Sequence, residues 1–146
     1  MPTRDEIGEQ TGQRLAYLFK HADRLLAGLH AEALAPFDIH VRDLGVLLVI
    51  DRFEPASQQQ IAERMGVDRT TMVAIIDALE AKGIIARRPD AEDRRRNLIE
   101  LTPTGQEILR QATAASDAAE AELLAPLTLK EGKQLRNLMA RVLDRD

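Results

Sequence analysis

"SQQQIAERMGVDRTTMVAIIDALEAKG", residues 57–83, reads as two helices and the turn that joins them. Ser57 can cap a short helix carrying Ile61, Ala62 and Met65, because a serine hydroxyl accepts from first-turn N–H groups that lack an intrahelical partner. Gly66 suits the positive φ of a tight turn. Asp68 then opens a second helix in which Met72, Ile76 and Leu79 recur at i, i+4 and i+7, the spacing of one buried face. Arg69, Thr70, Asp77 and Glu80 mostly face elsewhere, and Gly83 is placed to stop the helix. Helix, short turn and second helix make a helix-turn-helix.

Downstream, "GIIARRPDAEDRRRNLIELT" offers two short strands, Ile84 to Arg88 and Asn97 to Leu101. A polar tip holding Pro89, Asp90 and three consecutive arginines joins them, so the second helix runs into a β-hairpin, or wing. Thr102 and Pro103 then have the order of an N-cap and first helical residue, ahead of Ile108, Leu109, Ala112, Ala115 and Leu123. Pro126 interrupts that helix. "TLKE", Thr128 to Glu131, has the spacing of a capping box and starts a last helix with Leu135, Leu138, Met139, Val142 and Leu143.

Upstream, Leu15, Leu18, Leu25, Leu29 and Ala33 recur at helical spacing, which predicts one amphipathic helix over about 8–34, ended by Pro36. Residues 41–53, "VRDLGVLLVIDRF", are short and apolar on most faces, as a buried central helix is. The expected fold is mainly α with a small β-hairpin wing. Its winged helix-turn-helix lobe spans 41–102, between N- and C-terminal dimerisation helices at 8–34 and 103–146.

Composition narrows the function. The 146 residues are 45% hydrophobic and 30% charged, with 3% aromatics and no cysteine, so the expected core is aliphatic and thiol redox or thiolate metal chemistry is excluded. The absence of a secretory pattern at the N-terminus, and a longest apolar run of only 44–50, predict a cytoplasmic chain without a membrane span. Net charge is -4, but residues 57–102 hold eight basic and eight acidic side chains. Within 87–96 five arginines face three acids, so the field is locally positive at the wing.

That placement suits DNA. A helix in the major groove reads bases with its N-terminal residues, here Asp68, Arg69, Thr70 and Thr71, and Arg69 can make a bidentate contact to guanine. Ser57, Gln58 and Gln59, at the start of the preceding helix, are further candidate contacts. A hairpin beside the second helix would set Arg94, Arg95 and Arg96 over the phosphates and the adjacent minor groove. Asp93 can hold a wing arginine in a fixed pose.

These segments resemble the MarR family of bacterial transcription regulators. The resemblance rests on Asp93, Arg95, Leu101 and Thr102, an Asp-x-Arg-x5-Leu-Thr motif followed by Pro103 and Gly105, and on "MGVDRTTMVAIIDALEAKGII". It implies a homodimer joined through its first and last two helices, bound to a pseudo-palindromic operator in double-stranded DNA. It further implies a repressor relieved by a small ligand, in a pocket between the helices and the DNA-binding lobe. Two-fold pairing would also bury the apolar stripes of the long flanking helices.

For the ligand, Arg14, Tyr17 and His21 are predicted on one face of the first helix and His40 at the start of the central helix. A cationic, aromatic and imidazole set suits an aromatic acid or a phenol. The competing reading makes these residues surface or dimer contacts. His21, His30 and His40 are nine or ten residues apart, which does not match metal-ligand spacing, and no metal or cofactor is expected. Without a phosphate loop, nucleophile elbow or paired-carboxylate set, an enzyme is not expected either. The alternative function is a DNA-binding or architectural protein without a ligand.

Overall fold

The computed structural model describes residues 8–145. Helix α1 spans Glu9–Gln13 and α2 spans Leu15–Leu34. A 3-10 turn, Ala35–Phe37, leads to α3 at Val41–Phe53. Strand β1 (Ala56–Ser57), α4 (Gln58–Met65), α5 (Arg69–Ala81), β2 (Ile85–Pro89) and β3 (Asn97–Leu101) follow. Helices α6 (Pro103–Leu123) and α7 (Leu129–Leu143) complete the described chain.

These elements form two compact units: a lobe over Ala33–Ser116, and a terminal unit of the described residues 8–32 and 117–145. The core of the lobe is aliphatic as expected. Val46, Leu47 and Ile50 of α3, Ile61 of α4, and Met72, Ile75, Ile76 and Leu79 of α5 are buried with Ile85 and Ile99 of the sheet. The sheet has the order β1-β3-β2, antiparallel throughout, with Ala56 opposite Ile99 and Ile85 opposite Leu101. Strand β1 has only two residues, too few to leave a periodic trace in the sequence.

Both helices of the helix-turn-helix end on a left-handed glycine. Gly66 has φ 63°, and the Val67 N–H reaches back to the Ala62 carbonyl at 3.1 Å. Gly83 has φ 72°, and the Ile84 N–H reaches the Leu79 carbonyl at 3.1 Å. The paired 6→1 and 5→2 bonds satisfy carbonyls that each helix end would leave open. Ile84 therefore belongs to this cap, and the second strand begins one residue later than its composition suggests.

Two terminal predictions differ in outcome. Thr128 caps α7 as expected, its hydroxyl accepting from the Glu131 N–H at 3.1 Å while Glu131 accepts the Thr128 N–H at 2.9 Å. The single helix expected over 8–34 is instead broken at Arg14, whose ψ of 136° is extended. Thr11 and Gly12 are weak helix formers, and the Arg14 carbonyl accepts from Leu18, starting α2 afresh.

Candidate nucleic-acid interface

Three parts of the lobe meet at one groove of about 740 Å³, lined by Ser57, Gln58, Gln59, Asp68, Arg69, Arg95 and Arg96 among others. Each part is fixed by short-range bonding. At α4, the Ser57 hydroxyl accepts from the Gln60 N–H at 3.1 Å, and Gln60 Oε1 accepts from the Ser57 N–H at 2.9 Å. This uses the Ser57 hydroxyl, on a residue only 3% exposed, as a cap, while Gln59 beside it is exposed. At α5, Asp68 accepts from the Thr71 N–H and from the Thr71 hydroxyl, both at 2.8 Å. Those bonds, the backbone one first, hold the Asp68 carboxyl below the usual aspartate value. Arg69 and Thr70 are left exposed at the start of the helix.

The wing tip is built by its own acids. Asp93 Oδ1 accepts from the Arg95 backbone N–H at 3.1 Å and from Arg95 Nε at 3.4 Å, while the Asp93 carbonyl accepts from the Arg96 N–H at 3.0 Å. Asp93 thus bonds across the turn and to the Arg95 guanidinium. The Arg95 side chain remains 93% exposed. None of the ion pairs among the described residues engages Arg69, Arg94 or Arg96. Their charge is available to a polyanion at the same groove or, for Arg94, at the exposed tip beside it.

Sequence reading missed Arg87. On β2 it alternates with Ile85, which faces the core, and its guanidinium lies 2.5 Å from Asp77 and 3.2 Å from Glu80 of α5. The signal available in the sequence was that alternation, which puts Arg87 on the inward face of the wing.

The effector candidates divide. Tyr17 and His21 stack with ring centroids 3.9 Å apart, and His21 Nδ1 lies 2.9 Å from the Tyr17 carbonyl. Arg14, expected on the same helical face, has an extended backbone between α1 and α2, and its carbonyl accepts from the Leu18 N–H at 3.0 Å. His40 belongs to the lobe, where it caps α3: its Nδ1 accepts from the Arg42 N–H at 3.1 Å, and Asp43 accepts from the His40 N–H at 2.8 Å. Among the described residues no cluster of three or more His, Cys, Asp or Glu could hold a metal ion, and no helix is long and apolar enough to cross a membrane.

Residues 37–96, from the 3-10 turn to the last wing arginine, match the model of the MarR family. Over these residues the chain is similar to the MarR family. It is similar, at 26% identity, to the transcriptional repressor CouR bound to a 23-mer DNA duplex, with 98% of this chain and 99% of that one covered and a TM-score of 0.86. At the same identity and coverage it resembles a mutant MarR from E. coli complexed with operator DNA, TM-score 0.80. CouR from Rhodococcus jostii RHA1 bound to p-coumaroyl-CoA is 25% identical over 90% of this chain and 93% of that one, TM-score 0.77. MarR-family regulators are generally non-enzymatic, DNA-binding proteins, and the match covers most of the winged helix-turn-helix lobe of this chain.

Proposed function

We propose that this chain is a MarR-like transcriptional repressor that binds a pseudo-palindromic operator as a homodimer and leaves it when a small aromatic or phenolic ligand binds. The observation that carries the DNA half is the shared groove, where the starts of α4 and α5 meet two wing arginines. Arg69 and Thr70 enter the major groove, Gln58 and Gln59 approach from α4, and Arg94, Arg95 and Arg96 follow the phosphates into the minor groove. Asp68, Thr71, Ser57 and Asp93 hold those contacts in place. Two lobes related by a two-fold axis would read two half-sites, and the exposed leucines of α7 and α2 suit the pairing.

The ligand half rests on the stacked Tyr17 and His21, which offer ring surface and a polar edge, and on the likeness to CouR, which was crystallised with p-coumaroyl-CoA. Release requires that the ligand favour a form that binds DNA poorly, since equal affinity for both forms shifts nothing.

The test begins with selection of duplexes from a random pool, followed by binding over a salt series. Arg95→Ala is expected to weaken all sequences alike and to reduce the salt slope by about 1, while Arg69→Ala changes the preferred base at a cost of about 1–3 kcal/mol. Selection that enriches no sequence would remove the operator reading. Calorimetry with benzoates and phenols, on wild type, Tyr17→Ala and His21→Ala, tests the ligand. Arg14→Ala and His40→Ala are the comparison variants.

A further inference from the structure

Arg87 is the one wing arginine turned inward. Strand β2 pairs it with the buried Ile99, and its side chain is 23% exposed. One nitrogen of its fork, Nη2, lies 2.5 Å from Asp77 Oδ1, and the other, Nη1, lies 3.2 Å from Glu80 Oε1, both on α5. Nη2 also reaches Gln58 Oε1 at 3.5 Å, on the first residue of α4. Nε is buried and has no hydrogen-bond partner. A single planar group therefore touches the wing, the second helix and the start of the first, and no other residue in the lobe does so through its charge. Lysine, a point charge on a flexible stem, cannot reproduce that fork.

The charges give the contact a second consequence. Helix α5 carries one arginine, Arg69, and two acids, Asp77 and Glu80. Acids on a helix that approaches a polyanion oppose binding unless a cation compensates them. Arg87 supplies that compensation from behind the helix, on the side of the wing.

We infer that Arg87 is a positioning residue for base reading: it locks the wing, α5 and the Gln58 side chain at one spacing and masks Asp77 and Glu80, without itself contacting DNA. The inference rests on the proposed DNA-binding function. It differs from a phosphate contact in a measurable way, because a residue that touches no phosphate leaves the number of released counterions unchanged.

The experiment uses the full chain, the selected duplex and a panel of its single-base-pair variants, titrated by fluorescence anisotropy over a salt series. Arg87→Ala is expected to lower the affinity ratio between the selected duplex and its variants about tenfold, with the salt slope at the wild-type value. Arg95→Ala is the contact reference. Arg87→Lys should keep most of the overall affinity yet lose discrimination, and Asp77→Asn should lose discrimination in wild type while adding little to Arg87→Ala. A folded Arg87→Ala protein with unchanged discrimination overturns the inference. So does a uniform loss of affinity with a slope reduced by about 1, which marks a phosphate contact. If Arg87→Ala does not fold, the same two outcomes for Arg87→Lys and Asp77→Asn decide. A wild-type protein that prefers no duplex overturns the DNA reading itself, and this inference with it.

Discussion

The lobe and the terminal helices use the same aliphatic residues and reach opposite ends. In the lobe Leu47, Ile50, Ile61, Met72, Ile76 and Ile99 are fully enclosed within one chain. In the terminal unit Leu129 is 91% exposed, Leu143 76% and Leu138 55%. The lobe closes because three helices and a sheet present apolar faces to one another, so each stripe finds a partner inside the chain. Helix α7 has an apolar stripe as well defined as that of α5, but it remains open. An exposed apolar face of that kind marks an interaction surface, and a second copy of the chain is the occupant proposed above. The lobe is therefore expected to depend on internal packing, and the terminal helices on association.

A pair of glycines should show the contrast at its largest. A Cβ at Gly105 would lie 1.9 Å from the Ile84 carbonyl oxygen, whereas at Gly132 the nearest neighbour would be Leu124 Cδ1 at 3.6 Å, an ordinary contact. Gly105→Ala is expected to destabilise the lobe by about 3 kcal/mol or more, because backbone must move. Gly132→Ala should be neutral, or stabilising by up to about 1 kcal/mol through helix propensity. Equal urea midpoints for the two variants would erase the distinction.

The next effect concerns what each region leans on. Ile76→Ala should cost about 2–5 kcal/mol at any protein concentration, as a truncation in a closed core does. Leu138→Glu should instead move the protein toward monomer in sedimentation and remove the concentration dependence of its thermal midpoint. If Leu138→Glu sediments like wild type, α7 is not the pairing surface.

The smallest effect is a matched pair of titrations. The Asp68 carboxyl in the lobe and the Glu131 carboxyl on α7 are both held below their ordinary values of 3.8 and 4.5, first by the backbone N–H of Thr71 and of Thr128 and then by the same threonines' side chains. A depressed folded-state value means that the stability each adds is complete above the ordinary value and is lost as pH falls through the depressed one. Asp68→Asn and Glu131→Gln keep the capping bonds and remove the charge, so each should flatten its share of the acid limb in urea titrations. An acid limb unchanged in both variants would mean that these caps do not couple to folding.

How far each feature could be read in advance follows the distance along the chain over which it is made. Ser57, Asp68, Thr102 and Thr128 were legible as caps because each bonds to an N–H three residues on. Gly66 and Gly83 were legible as stops, and the stripe of α5 as a core face, for the same local reason. The break at Arg14 was not, since the spacing of apolar residues continues through Thr11 and Gly12 while the propensity to stay helical does not. Strand β1 exists only because β3 returns beside it, some forty residues later. The sequence by itself determined the helices, their ends and the charge on the wing, all of which depend on neighbours within about one turn. Only the tertiary structure decided that Gly105 must be glycine, 21 residues from Ile84, and that Arg87 would meet Gln58, 29 residues away. Contacts of that span depend on where the folded chain comes back, which no local pattern encodes.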